Sequence, residues 1–161
     1  MNRAHFEIER KYLVKGEFRN HASSSHLIRQ GYLSTDVERL VRIRIHNNQG
    51  FITVKGEQKG IGRFEWEKEI AVPEAEKLLL QCLPHIIEKT RHIVYYKDQR
   101  FEVDEFHGDN DGLIIAEIEL TEEDMKIDLP DWIGREVSLD TRYTNSYISR
   151  YPFISWDSYQ V

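Results

Sequence analysis

The charged residues that could do chemistry occur as like-charged pairs two positions apart. The acidic pairs are Glu7/Glu9, Glu65/Glu67 and Glu117/Glu119, and the basic pairs are Arg42/Arg44 and Lys89/Arg91. Clustered carboxylates repel one another unless a divalent cation lies between them, and hard oxygen ligands suit Mg²⁺ or Mn²⁺. Clustered arginine and lysine side chains favour a multiply charged anion with phosphate geometry. If the two sets faced each other, they would suit binding of a polyphosphate and cleavage of its phosphoanhydride bonds.

These pairs lie on segments that alternate in polarity and are rich in Val, Ile, Tyr, Phe and Thr, which is typical of β-strands. Eight strands are predicted, at 4–14, 27–34, 38–47, 50–57, 63–72, 88–97, 100–106 and 113–120. The short connections between several of them favour antiparallel pairing. Helices are predicted at 73–83, 121–130 and 143–150, from proline and capping signals.

Most of the predicted strands have one apolar and one charged face, because residues two apart share a face. A sheet with one solvated side is the commonest cause of such a pattern. Two features favour a different arrangement: the charges are segregated by sign, and Ser, Thr and Gln are scarce at these positions. Eight strands can close a barrel, so the charged faces could point inward. Buried charges must be paired or bound to ions, so an interior of this kind requires ligands.

The segment Glu7-Ile8-Glu9-Arg10-Lys11 resembles the ExExK signature of the CYTH superfamily, the triphosphate tunnel metalloenzymes. The stretches EIERKYLV, IRQGYLST, VRIRI, EKTRH and IIAEIEL follow in the order of that family, over most of the chain. The chain is most similar to short bacterial members related to inorganic triphosphatases. The resemblance implies a mainly β (α+β) fold, an eight-stranded antiparallel closed β-barrel with a few flanking helices, in one domain of residues 1–161.

The resemblance also implies roles for individual residues. The metal ligands would be Glu7, Glu9, Glu67, Asp104, Glu117 and Glu119. The triphosphate would be bound by Lys11, Arg42, Arg44, Lys55, Lys89, Arg91 and Arg142. Glu7, Glu9 and Lys11 would be the catalytic group, with Lys11 beside the phosphate or the attacking water. Glu65 faces the same way as Glu67 and has no assigned role.

The expected activity is hydrolysis of inorganic tripolyphosphate to pyrophosphate and phosphate, with Mg²⁺ or Mn²⁺ as the cofactor. Several alternatives stay open from the sequence. The same fold could act as a class IV-type adenylate cyclase, or it could hydrolyse thiamine or nucleoside triphosphates. It could also be a polyphosphate-binding module without catalysis, or a β protein with salt-bridged solvated faces.

Composition excludes several other classes. The net charge of −6, from 22 Lys+Arg and 28 Asp+Glu in 161 residues, disfavours binding to nucleic acids or acidic membranes. No apolar run approaches the roughly 18 residues that would cross a bilayer. The single cysteine, Cys82, cannot form an internal disulfide, which favours the reducing cytoplasm, and an inert buried thiol is expected. The expected partner is a small-molecule triphosphate, and an outward apolar surface would be compatible with a homodimer.

Overall fold

The computed structural model describes residues 5–157, and its main feature is an antiparallel sheet that closes on itself. The strands are β1 Phe6–Val14, β2 Ala22–Asp36, β3 Arg39–His46, β4 Gln49–Lys59, β5 Gly62–Ile70, β6 Ile87–Tyr96, β7 Gln99–Phe106, β8 Ile114–Glu119 and β9 Ile133–Glu136. The first eight form a ring in the order β5-β4-β3-β2-β6-β7-β8-β1, and pairing of β1 with β5 closes it. The predicted eight-stranded closed barrel is therefore confirmed.

The observed strands depart from the predicted set mainly at β2 and β9. β2 begins at Ala22 rather than at 27, because the serine-rich stretch before His26 pairs with β6, where Ser25 lies opposite His92. The ninth strand, β9, was not predicted, and it extends the sheet by pairing with β1.

Two α-helices lie in the described part of the chain, α1 at Val72–Leu79 and α2 at Asn145–Ile148. α1 begins at Val72, next to the predicted start at Pro73, and ends at Leu79, before the predicted end at 83. At its start, the Glu74 side chain accepts a hydrogen bond from the backbone N–H of Ala71 at 3.2 Å. α2 is shorter than the predicted helix at 143–150.

The helix predicted at 121–130 is wrong, because this segment is a bend and a turn followed by irregular backbone. The side chain of Gln99 accepts a hydrogen bond from the backbone N–H of Asp128 and donates one to its carbonyl. In place of helix hydrogen bonds, this segment has these two bonds to Gln99 and the packing of Ile127 against the outer core.

Apolar side chains are buried in three clusters, two on the outside of the barrel wall and one at an end of its interior. α1 packs Ala75 and Leu79 against Ile43 on β3. The segment that leads into β9 packs Trp132 over Phe101 and other residues of β7 and β8. The C-terminal segment packs Tyr143 and Ile148 against the inward-facing side chains of Tyr32, Leu40 and Ile115, at one end of the barrel. Within 5–157, no helix has the length and apolar character that crossing a membrane would require.

Candidate active site

The barrel encloses a cavity of about 510 Å³, within the size range of small-molecule sites. All but two of the predicted site residues line it. The predicted residues in the lining are Glu7, Glu9, Lys11, Arg42, Arg44, Lys55, Glu67, Lys89, Arg91, Glu117 and Glu119. Asp104 and Arg142 lie outside the lining. The alternative in which these strands present their charged faces to solvent is therefore wrong for this sheet.

Most of the charges that line the cavity are segregated by strand. We call one set the cationic side: Arg42 and Arg44 on β3, Lys55 on β4, and Lys89 and Arg91 on β6. We call the other set the acidic side: Glu7 and Glu9 on β1, Glu65 and Glu67 on β5, Glu102 on β7, and Glu117 and Glu119 on β8. Because β4, β3, β2 and β6 are neighbours in the ring, and β7, β8, β1 and β5 form the other half, one half of the cavity is cationic and the other is mainly acidic. The acidic half also contains the lining cations Lys11, Arg63 and Arg100.

Lysine side chains lie among the carboxylates of the acidic side. Lys11 Nζ donates to Glu9 Oε1 at 2.5 Å and to Glu117 Oε1 at 2.7 Å. From the cationic side, Lys55 Nζ reaches Glu7 at 2.7 Å and Glu65 at 2.6 Å. Ammonium groups therefore hold the carboxylates of β1, β5 and β8 in place.

Asp104 lies on β7, directly opposite Arg91 of the cationic side, and is 1% exposed. Arg91 binds its carboxylate through Nε and Nη2, both at 2.7 Å, and Lys89 Nζ donates to it at 2.5 Å. Burial alone would raise the pKa of Asp104, but Arg91 and Lys89 hold that pKa well below its usual range. Both oxygens of Asp104 are thus used by the two cations that it supports.

The two arginines of β3 differ in their partners. Arg42 donates to Thr53 Oγ1 at 3.2 Å and to Glu67 at 3.4 Å. Arg44 donates through Nε to the neutral Gln30 Oε1 at 3.0 Å. Burial, with Arg42 and Arg91 nearby, lowers the pKa of Arg44 to about 10.

The acidic side has the donor chemistry that a divalent cation requires. Glu9 and Glu119 are directly opposite each other on β1 and β8. Burial, together with the carboxylates of Glu7 and Glu102, raises the pKa of Glu119, as expected where like charges crowd. Hard carboxylate oxygens of this kind suit Mg²⁺ or Mn²⁺. Among residues 5–157, no group of three His, Cys, Asp or Glu side chains is arranged to hold a metal ion. Lys11 and Lys55 lie between the carboxylates of the acidic side.

Several lining residues were not among the predicted site residues. Glu102 contacts Arg91 and pairs with Arg100 at 2.6 Å, and its two-residue spacing from Asp104 could have identified it. Asn145 in the lining, and Gln30 behind it in contact with Arg44, have no charge signal in the sequence. The predicted triphosphate ligand Arg142 pairs with Asp140 at 2.5 Å.

Comparisons with known proteins agree with this architecture. Residues 5–150 match the model of the CYTH domain family. The chain is 45% identical over 148 residues to an inorganic triphosphatase of Acetivibrio thermocellus, covering 91% of this chain and 95% of the relative. It is 36% identical over 147 residues to an inorganic triphosphatase of Nitrosomonas europaea, covering 89% and 96%.

Solved structures share the fold. The crystal structure of an inorganic triphosphatase superimposes with a TM-score of 0.63 at 35% identity, covering 89% of this chain and 93% of that one. A Hippeastrum protein related to adenylyl cyclases, with a TM-score of 0.51 at 16% identity over 72% and 80% of the two chains, shares the fold alone. The family model, the two relatives and the closed barrel together show that this chain belongs to the CYTH domain family.

Proposed function

We propose that this protein is a divalent-metal-dependent triphosphatase that hydrolyses inorganic tripolyphosphate to pyrophosphate and phosphate. The observation that carries the proposal is the cavity with one cationic and one acidic half inside a closed barrel. A short linear polyanion complements the cationic side, and a divalent cation would relieve repulsion on the acidic side. The inorganic triphosphatases at 45% and 36% identity support this choice of substrate class.

The cationic side would bind the phosphate chain. The guanidinium groups of Arg42, Arg44 and Arg91 can each donate two hydrogen bonds to phosphate oxygens, and the ammonium groups of Lys55 and Lys89 add point charges. These cations would stabilise the charge that develops on the leaving phosphate. Lys11, on the opposite side, would hold the attacking water or an oxygen of the phosphate under attack.

The acidic side would hold the predicted Mg²⁺ or Mn²⁺ through Glu7, Glu9, Glu117 and Glu119. When bound, such a cation neutralises phosphate charge and makes a water molecule more acidic. Glu67 also lines the cavity, but it accepts hydrogen bonds from Thr53 at 2.7 Å and Arg42 at 3.4 Å, which favours a role in holding Arg42. The placement of Asp104 favours positioning of Lys89 and Arg91 over metal binding.

The remaining expectations follow from the same assignment. We infer that residues 1–161 form one domain that acts in the cytoplasm on a small-molecule triphosphate. The pairing of Arg142 with Asp140 favours a role in holding the C-terminal segment rather than the substrate. The outer side chains Phe6, Phe64 and Trp66 are 43%, 45% and 37% exposed on paired strands, which is compatible with a homodimer.

The test is release of phosphate from tripolyphosphate, ATP and thiamine triphosphate, each with Mg²⁺ and with Mn²⁺. We expect tripolyphosphate to be the best substrate, with no turnover after chelation of metal or in the double variant Glu7→Ala/Glu9→Ala. Cyclic AMP formed from ATP would identify a cyclase instead. Tight binding without hydrolysis under every metal would identify a non-catalytic binding module, and either result would overturn the proposal.

A further inference from the structure

Two neutral amides connect the cations of β3 and β6. Gln30 lies on β2, between these strands, and it is completely buried. Its Oε1 accepts from Arg44 Nε at 3.0 Å, and its Nε2 donates to Asn145 Oδ1 at 3.0 Å. The same Asn145 oxygen accepts from Lys89 Nζ at 3.1 Å. A continuous hydrogen-bonded chain therefore runs from Arg44 through Gln30 and Asn145 to Lys89.

Arg44 differs from the other members of the cationic side. Lys55, Arg42, Lys89 and Arg91 each lie within 4.0 Å of a carboxylate, whereas Arg44 has no such ion pair among the residues that the structure describes. Burial, followed by the charges of Arg42 and Arg91, lowers its pKa, and Asp104 opposes them only in part. A half-buried cation with no ion pair and two cationic neighbours favours binding of an anion.

The amide at position 30 holds Arg44 without cancelling its charge. Arg44 Nε can only donate, so the amide oxygen of Gln30 must face it and the amide nitrogen must face Asn145. A glutamate would offer an acceptor of the same reach and form a charge-assisted bond, which is stronger. A glutamate would also neutralise Arg44, which has no carboxylate partner among residues 5–157.

We propose that Gln30 and Asn145 are positioning residues that fix Arg44 and Lys89 by neutral hydrogen bonds, so that Arg44 keeps its full charge for a phosphate group of the substrate. This inference rests on the proposed function and adds a reason for amides at these two positions. Asn145 begins α2, so the C-terminal segment takes part in fixing the site through Lys89.

The substitution Gln30→Glu tests whether the protein needs a neutral side chain at position 30 or only a hydrogen-bond acceptor. If Gln30 only supplied an acceptor to Arg44, the glutamate variant would bind tripolyphosphate as the natural protein does. If neutrality matters, the variant folds normally and binds the anion more weakly. The matched control is Gln81→Glu, which makes the same charge change at an exposed position beyond α1 and outside the cavity lining.

The measurement is calorimetric titration of tripolyphosphate into each protein without divalent metal, together with urea unfolding. We expect Gln30→Glu to weaken binding by about tenfold or more, as for loss of a hydrogen bond to a charged group, and Gln81→Glu to match the natural protein. With metal present, KM should rise more than kcat falls. If Gln30→Glu does not fold, the variant Asn145→Asp replaces it in the test. Asn145 is half-buried, and its substitution places a carboxylate instead of an amide against Lys89.

The possible failures are distinguishable. If the natural protein neither binds nor hydrolyses tripolyphosphate, the proposed function is overturned and this inference falls with it. If the natural protein binds the anion and the folded glutamate or aspartate variant binds within about twofold of it, a difference too small for a lost charged contact, the inference alone is overturned.

Discussion

Lys11 and Glu117 are directly opposite each other on β1 and β8, and Lys11 Nζ donates to Glu117 Oε1 at 2.7 Å. The same ammonium group contacts Glu9, so it lies between two carboxylates proposed to bind metal. Burial alone would lower the pKa of Lys11, but Glu117 and Glu9 raise it above its ordinary value. Lys11 therefore stays charged at neutral pH and stabilises the acidic side when no divalent cation is present.

Replacing Lys11 by Met should make the fold depend on a divalent cation. Without the ammonium group, Glu9 and Glu117 repel each other, and Mn²⁺ can relieve that repulsion. We expect Lys11→Met to melt at a lower temperature than the natural protein without metal and to show a larger increase in melting temperature on addition of Mn²⁺. Lys77→Met, on the exposed face of α1, is the control. An equal Mn²⁺ effect on Lys11→Met and the natural protein would contradict this role.

Replacing Glu117 by Gln should weaken metal binding with little change in the fold. The amide keeps the shape of the side chain but removes one negative charge from the acidic side. We expect the affinity for Mn²⁺, measured by calorimetry, to fall by about 10- to 100-fold, the range seen when residues of a metal site are altered. Glu88→Gln, at an exposed position of β6, should have no effect. Metal affinity unchanged by Glu117→Gln would count against a metal site on β1 and β8.

Replacing Asp104 by Asn should lower stability as well as activity. The variant leaves Arg91 and Lys89 buried without their shared carboxylate. Breaking a buried ion pair costs about 3–5 kcal/mol, which urea unfolding would detect. Asp111→Asn, at an exposed position, should unfold as the natural protein does. A variant at Asp104 that loses metal affinity at unchanged stability would instead indicate the metal-binding role expected from the sequence.

The thiol of Cys82 should react slowly in the native protein. Burial raises its pKa to about 11, and Sγ donates to the carbonyl of Leu78 at 3.4 Å. Because the thiolate is the reactive form, only about 0.1% of the thiol is reactive at pH 8, and the rate should rise with pH toward 11. Labelling with a chromogenic disulfide should be slow in native protein and fast in guanidinium. Rapid labelling of native protein at neutral pH would show that burial does not protect this thiol.

The two-residue period of strands made most of the site predictable. Arg42 and Arg44 were assigned to one face of one strand, and the structure places both in the cavity lining. The contact between Lys11 and Glu117 could not be predicted, since it depends on the register of β1 and β8, and a shift of one residue would turn the side chain away.

Other features depend on contacts that are distant in the sequence. Gln30 and Asn145 are 115 positions apart and have no charge pattern that connects them. The capping signal at Thr121 predicts a helix, but the segment is irregular and its Asp128 backbone is bonded to the side chain of Gln99, which is distant in the sequence. The strand β9 has four residues, too few for a recognisable period.

The most direct test of the central claim is a crystal structure with tripolyphosphate and Mn²⁺ bound to a hydrolysis-deficient variant, with Mn²⁺ located by anomalous scattering. The account predicts that the phosphates lie inside the barrel against Arg42, Arg44 and Arg91. It also predicts that Mn²⁺ lies among the carboxylates of β1 and β8. Phosphates bound on the outer surface, or Mn²⁺ away from the acidic side, would contradict it.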